Sequence, residues 1–209
     1  PPAQKAPAVT AVLKQMVDTL DVSTRRGLRD RALLTLGFAS ALRRSELVAL
    51  TCDDLEFVPE GVRLHVRRSK TDQEGVGQVV PVIRGGDYCP VAALQAWLAA
   101  ASIHAGPVFR RLYRGAQVGK HAVAAEEVAR IVKRGALACG LDPADFGGHS
   151  LRAGFLTSAA QSKASLHKLM EVSRHADPKS VMRYIRRAEE FTGVDAAGAA
   201  FRLLLLLIT

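Results

Sequence analysis

The sequence predicts a mainly α-helical domain with a small antiparallel β-sheet, and three observations predict it. Apolar residues recur at helical spacing through most of the 209-residue chain. The period drops to two in one short stretch, where Val62, Leu64 and Val66 alternate with Arg63, His65 and Arg67. Proline and glycine stand at the places where helices begin and end.

The first residues, Pro1-Pro2-Ala3-Gln4-Lys5-Ala6-Pro7, are proline-rich and aperiodic, so residues 1–8 are expected to be a linker remnant at a domain boundary. From Val9 onward Val12, Leu13, Met16, Val17 and Leu20 trace one helix. A second runs from Arg25 to about Ala41 with Leu28, Ala32, Leu33 and Leu36 on one side, and a short third passes through Glu46 and Leu50. The alternating stretch is a half-buried strand, and its partner fits Gly77 to Val82. Between them Arg68 to Gly75 forms a basic hairpin loop carrying Lys70. Pro90 opens a helix to about Ala101, and Ala122 to Cys139 forms another that Gly140 ends. Three further helices are expected over roughly His149 to Ala160, Ser165 to Val172 and Pro178 to Ala188.

Composition narrows the partner. Lysine and arginine outnumber aspartate and glutamate 29 to 20, a net charge of +9 with a pI near 9.9, which favours a polyanion. Aromatic residues make up 5% of the chain, a poor supply for stacking on unpaired bases, so double-stranded DNA is the better nucleic-acid partner. No run approaches the roughly 20 apolar residues that span a bilayer, and no signal core follows a basic start. The expectation is a cytoplasmic protein without a membrane partner. Cys52, Cys89 and Cys139 are odd in number and lack close pairing, which argues against a disulfide framework or a zinc site.

Metal-free cleavage of a phosphodiester needs a nucleophile, cations around the non-bridging oxygens and a proton for the leaving oxygen. Three segments supply candidates. In Ala41-Leu42-Arg43-Arg44-Ser45-Glu46-Leu47, Glu46 falls three residues after Arg43 and can hold its guanidinium; a plain helix terminus capped by Ser45 with Arg44 in solvent explains the same residues. In Gly147-Gly148-His149-Ser150-Leu151-Arg152, His149 and Arg152 share a helical face that suits an anion, and the glycines allow close backbone approach to a ligand; a solvated basic helix start is the alternative. In His175-Ala176-Asp177-Pro178-Lys179-Ser180-Val181-Met182-Arg183-Tyr184, a helix start leads to a tyrosine among Arg183, Arg186 and Arg187. A lone tyrosine is ordinarily a core residue, but the surrounding charge argues against deep burial here.

Together these segments resemble the signature of the tyrosine recombinase, or phage integrase, family. Its first motif is similar to Gly-Leu-Arg-x-Ser-Glu, its second to His-x-Leu-Arg, and its third sets a histidine or tryptophan nine positions before the nucleophilic tyrosine. This chain has Ala41-Leu42-Arg43-Arg44-Ser45-Glu46, His149-Ser150-Leu151-Arg152, and His175 before Tyr184. A family lysine in a β-hairpin turn between the first two motifs matches Lys70. Two positions depart from the pattern: Ala41 replaces a usual glycine, and Ser173-Arg174 stand where Leu-Gly commonly precedes the histidine.

The resemblance implies the tyrosine recombinase catalytic-domain fold over residues 9–190, followed by a tail, 191–209, for which exchange between protomers and packing on its own core are the two readings. It implies a site-specific recombinase or integrase of prokaryotic, phage or mobile-element origin that works on nucleoid DNA, as a homo-oligomer, tetrameric on paired sites, when full length. Tyr184 is the nucleophile, forming a 3′-phosphotyrosine. Arg43 and Arg152 grip non-bridging oxygens, and His175 donates a further hydrogen bond to them. His149 helps move the tyrosine proton, Lys70 protonates the leaving 5′ oxygen and Glu46 orients its neighbours. A phenol is only about a thousandth ionised at neutral pH, a handicap of roughly 4 kcal/mol that such cations must offset. Neither a metal-binding carboxylate cluster nor a phosphate-binding loop is evident, so the expected chemistry uses no cofactor. Arg44, Arg67, Arg68 and Lys120 are candidates for DNA backbone contact, against the plainer reading of solvated surface charge. A type IB topoisomerase and a DNA-binding accessory factor with idle catalytic groups are the competing functions.

Overall fold

The computed structural model describes residues 5–67, 77–175, 177–186 and 188–189. They fall into two compact units, with the division between Phe155 and Leu156. The first unit opens with α1 (Thr10–Asp18), α2 (Arg25–Ala39) and α3 (Arg44–Ala49). An antiparallel sheet of β1 (Leu55–Val58), β2 (Gly61–Val66) and β3 (Gln78–Ile83) follows in that spatial order. Then come α4 (Pro90–Ala100), the antiparallel pair β4 (Arg110–Leu112) and β5 (Val118–Ala122), α5 (Ala125–Ala138), and α6 (Ser150–Gln161), within which the division falls.

Local chemistry accounts for most element ends. Thr24 caps α2 by accepting from the Gly27 N–H at 3.0 Å. Pro90 takes the first turn of α4, where a missing N–H costs nothing. Gly140, at φ 74°, lets the chain leave α5. The β2–β3 register pairs Val62 with Val82 and Leu64 with Val80, so all four point to the buried face.

The core of this unit centres on Trp97, Leu33, Leu36, Leu94 and Phe109, all fully buried, with α2 packed on α4. The buried Trp97 indole donates to the Val108 carbonyl at 2.9 Å, which satisfies its polar edge. Gly37 of α2 is where two other helices come in. A Cβ there would lie 2.8 Å from Leu47 Cδ2 of α3 and 3.0 Å from Leu151 Cδ1 of α6. Its absence brings the segments carrying Arg43 and Arg152 against the same turn of α2.

The segment expected to be a linker is fastened to the fold at its end. Ala6 N–H donates to the Asp145 carbonyl at 2.7 Å and Ala8 N–H to the Ser150 carbonyl at 2.9 Å, and Ala8 is fully buried. Three other expectations shift. Residues 118–122 pair with β4, so α5 starts at Ala125 rather than Ala122. α2 stops at Ala39 because Ala41 takes a left-handed conformation, φ 48°. β1, β4 and β5 are strands the periodicity did not indicate.

In the second unit α7 (Leu166–Ser173) is capped by Ser165, whose hydroxyl accepts from the Lys168 N–H at 3.3 Å. Residues 178–186 are helical. They follow Asp177, whose carboxylate accepts from the Lys179 N–H at 3.0 Å, and Pro178 in the first turn. The hairpin loop carrying Arg68 and Lys70, and the 191–209 tail, lie outside the described residues. Among the described residues no helix is long and apolar enough to cross a membrane.

Candidate active site

The first motif sits where α2 hands over to α3. Ser40 ends α2, its hydroxyl donating to the Leu36 carbonyl at 2.6 Å, and Ala41 N–H donates to the Phe38 carbonyl at 3.1 Å. A left-handed residue just past a helix C-cap is normally glycine, because a Cβ crowds the following carbonyl. Ala41 occupies that position with a methyl, fully buried. The turn points Leu42 into the core and presents Arg43 as the N-cap residue of α3.

Glu46 then does two things. One carboxylate oxygen accepts the Arg43 N–H at 2.8 Å, and the other takes the Arg43 guanidinium at 2.7 Å. The expected arginine-to-glutamate pairing is present, and Glu46 is 7% exposed, so the pair sits in weak solvent screening. Ser45 is not the cap: it is exposed within α3.

The second motif opens α6. Ser150 begins the helix and His149 precedes it, its carbonyl accepting the Ala153 N–H at 2.9 Å, so His149 stands at the helix start and Arg152 in the first turn. Arg152 is 5% exposed and donates to the Ala41 carbonyl at 2.7 Å. That bond joins the two motifs across more than a hundred residues of chain. Phe38 and Phe155, edge to face at 5.7 Å between centroids, brace α2 against α6 nearby.

His149 reports the electrostatics of this cluster. Partial desolvation and then the Arg44, Arg152 and Arg43 guanidiniums hold its imidazole below the ordinary histidine range. It is therefore mostly neutral at pH 7 and able to accept a proton. Three guanidiniums, with Glu46 paired to one of them, surround a neutral imidazole. A phosphate entering there would offset their repulsion and find donors in fork geometry. Gly148 serves Arg44: a Cβ on it would lie 2.8 Å from Arg44 Cδ, so the room the sequence suggested for a ligand's approach holds an arginine stem.

The second unit holds the third motif. α7 ends at Arg174, again left-handed at φ 55° and again where the family pattern has glycine. Beyond it His175 and Tyr184 lie side by side, ring centroids 6.4 Å apart and tilted by 41°. His175 Nδ1 is 2.7 Å from Ser173 Oγ, and that hydroxyl donates to the Leu169 carbonyl at 2.6 Å. A hydroxyl has one proton, so Nδ1 is the donor in this pair, and the bond sets the orientation of the ring. Tyr184 is half-buried, with Arg183 and Arg186 exposed on the same helical stretch.

The structure thus groups Arg43, Arg44, Glu46, His149 and Arg152 in one unit, and His175 with Tyr184 in the other. Arg67, at the end of β2, pairs with the buried Asp54, and Lys120 is exposed on β5. Two contributions escaped sequence reasoning. The Ala41 carbonyl acts through backbone geometry alone, and Ser173 orients His175 only because the Arg174 turn brings its hydroxyl to the ring.

Comparison with known proteins points the same way. Residues 10–190 match the phage integrase family. The chain is 42% identical over 189 residues to an integrase/recombinase xerD homolog of Selenomonas ruminantium, covering 90% of this chain and 55% of that protein. It is 32% identical over 166 residues to tyrosine recombinase XerC of Xylella fastidiosa (strain M23), covering 79% of this chain and 51% of that one. The chain therefore spans about half the length of the curated relatives it matches. Its fold is that of XerH site-specific recombinase bound to palindromic difH substrate in a post-cleavage complex, with a TM-score of 0.74 at 17% identity over 93% of this chain and 53% of that one. With its motifs in order, its fold matched and most of its length aligned, the chain belongs to the phage integrase family of tyrosine recombinases.

Proposed function

We propose that this chain is the catalytic part of a site-specific recombinase or integrase that cuts and rejoins double-stranded DNA through Tyr184. The observation that carries the reading is the buried Arg152, tied to the Ala41 carbonyl and grouped with Arg43 and Arg44 around a neutral His149. Such a cluster is built for a phosphate's non-bridging oxygens and for taking up a proton beside them.

In the proposed reaction Tyr184 Oη attacks the scissile phosphorus. The new bond is Oη–P, the broken one is P–O5′, and the products are a 3′-phosphotyrosine and a free 5′-hydroxyl. Arg43 and Arg152 bind the non-bridging oxygens, with Glu46 fixing the Arg43 fork. His149 takes up the phenol proton. His175 donates from Nε2, which with Nδ1 engaged by Ser173 requires the protonated ring. Lys70 delivers the proton to O5′. The phosphoester count is conserved, so rejoining reverses the step and needs no external energy source. The reading includes a tetramer on paired DNA sites for the full-length protein, acting in the cytoplasm.

The test uses nicked duplexes with a randomised core, which trap the covalent intermediate because the short 5′-hydroxyl strand diffuses away. Wild-type protein is expected to form a detergent-resistant adduct at a 3′ DNA end, and Tyr184→Phe none. Failure of the full-length gene product to form a Tyr184-dependent adduct on any member of the pool would overturn the reading.

A further inference from the structure

A second basic site lies in the first unit, away from the cluster just described. The start of α2, strand β4 and α5 enclose an open cavity of about 460 Å³ onto which Arg26, Arg29, Arg111, Arg130 and Arg134 converge. Two carboxylates serve these five guanidiniums. Asp30 holds Arg29 at 2.8 Å and Arg134 at 3.1 Å. Glu127 holds Arg134 at 3.2 Å and Arg130 at 3.4 Å. Arg29 is 4% exposed, so one charge is fixed in the cavity wall at low screening. The three at the rim are exposed: Arg26, Arg130, and Arg111, whose Nε donates to the Ala122 carbonyl at 3.3 Å. Three positive charges are left in excess.

Tyr113 also lines the cavity and is 50% exposed. Its ring lies over β5, so that a Cβ on Gly119 would fall 2.8 Å from Tyr113 Cε2. A seated ring with an exposed edge beside several guanidiniums offers a neutral donor among charged ones, the donor set that a phosphodiester takes. α2 separates this cavity from the Arg43 turn: its fifteen residues at 1.5 Å each span roughly 20 Å.

We propose that this pocket is a second anchoring site for the DNA backbone, gripping a phosphate other than the scissile one. The proposal rests on the DNA-cleaving reading above. The buried Arg29–Asp30 pair fixes the cavity wall, Arg134 stays locked to Asp30 and Glu127, and Arg26, Arg111 and Arg130 supply the excess charge that reaches the phosphate oxygens. Because the grip is on backbone, it adds affinity and register but reads no sequence.

The experiment measures affinity for a 30-base-pair duplex by fluorescence anisotropy across a salt series, using the full chain. The variants are Arg26→Gln/Arg111→Gln/Arg130→Gln and a charge-matched control, Lys14→Gln/Arg63→Gln/Arg84→Gln, all six residues being exposed. The slope of log K against log salt changes by roughly 0.9 for each phosphate that the protein ceases to neutralise, so the pocket variant, which loses its one phosphate, is expected to flatten it by about 0.9. The control is expected to flatten it by less than half as much. Equal slopes for wild type and pocket variant, or equal losses in pocket variant and control, would overturn the proposal. So would an unchanged duplex slope together with loss of inorganic pyrophosphate binding, which would assign the cavity to a small polyphosphate. These readouts report binding, so an absence of the Tyr184 adduct sinks the cleavage reading without deciding this one.

Discussion

Gly154→Ala should destabilise the protein, although alanine is the better helix former by about 1 kcal/mol. Gly154 lies in α6, two residues after Arg152. A Cβ there would stand 1.9 Å from the Ala8 carbonyl oxygen and 2.4 Å from its carbon, both backbone atoms with no rotamer to escape through. The stretch of chain over Gly154 must therefore lift. Lifting breaks the Ala8-to-Ser150 bond of 2.9 Å and the Ala6-to-Asp145 bond of 2.7 Å, at about 1 kcal/mol each. It also exposes the buried Ala8 methyl, about 0.8 kcal/mol. Less the gain in helix propensity, the net loss is about 2 kcal/mol. Urea unfolding measures it, and removing residues 1–8 from both proteins should reverse its sign, leaving the alanine variant ahead by about 1 kcal/mol of helix propensity, since the clash then has no second partner. A Gly154→Ala protein as stable as wild type, or a deficit that survives the truncation, would show that the N-terminal segment does not seat on α6.

Four further outcomes follow from the site. Ala41→Gly should be nearly neutral, because relief of about 1–2 kcal/mol of left-handed strain is offset by a lost buried methyl and added chain entropy. Ala41→Val should cost about 2–3 kcal/mol in urea unfolding, since a β-branched residue tolerates positive φ poorly; an unimpaired valine variant would contradict the φ of 48°. Arg44→Gln should raise the His149 titration midpoint towards the ordinary histidine value near 6.5, followed by NMR of the imidazole protons. With its folded-state value depressed, His149 favours the fold above about pH 6.5 and disfavours it as pH falls below, because the unfolded chain then binds the proton first. Arg44→Gln should soften that acid-side loss, and an unchanged midpoint would mean that Arg44 does not sense the imidazole. Ser173→Ala should slow covalent adduct formation about tenfold at saturating DNA, the scale of one lost positioning bond of about 1.4 kcal/mol, with affinity unchanged. A matching loss of affinity would make Ser173 a structural residue only.

What was legible in the sequence is what local chemistry determines. Pro90, Thr24 and Gly140 mark helix ends because their backbone constraints act at one position, whatever the rest of the chain does. Val62, Leu64 and Val66 announced a strand because the sheet buries one face. β1 announced nothing: its four residues are exposed or half-exposed in the order of no alternation, and it exists because β2 offers a ladder. β4 has three residues, too few for any period. The site divides along the same line. Arg43, Glu46, His149, Arg152, His175 and Tyr184 stood out as candidates because their spacing survives in the chain, and Glu46 met Arg43 as a helical neighbour should. The arginine cavity was invisible because its residues come from α2, β4 and α5 and converge only in the fold.

The two departures from the family pattern take on meaning together in the structure. Ala41 and Arg174 are both left-handed, and both stand where the pattern has a glycine. Each comes shortly before a candidate site residue: Ala41 lies two residues before Arg43, and Arg174 one before His175. A side chain in this conformation costs on the order of 1–2 kcal/mol and persists only where surrounding bonds leave no alternative. At Ala41 those bonds are its N–H to Phe38 and its carbonyl held by Arg152. At Arg174 the N–H reaches the Glu171 carbonyl at 3.3 Å while Ser173 and His175 close the turn beside it. Glycine would meet the same backbone requirement without strain but would also sample other conformations, loosening the residues that follow. The chain thus holds Arg43 and His175 in place by narrowing the backbone before them. The left-handed geometry that the family glycines permit is thus retained at both positions without them.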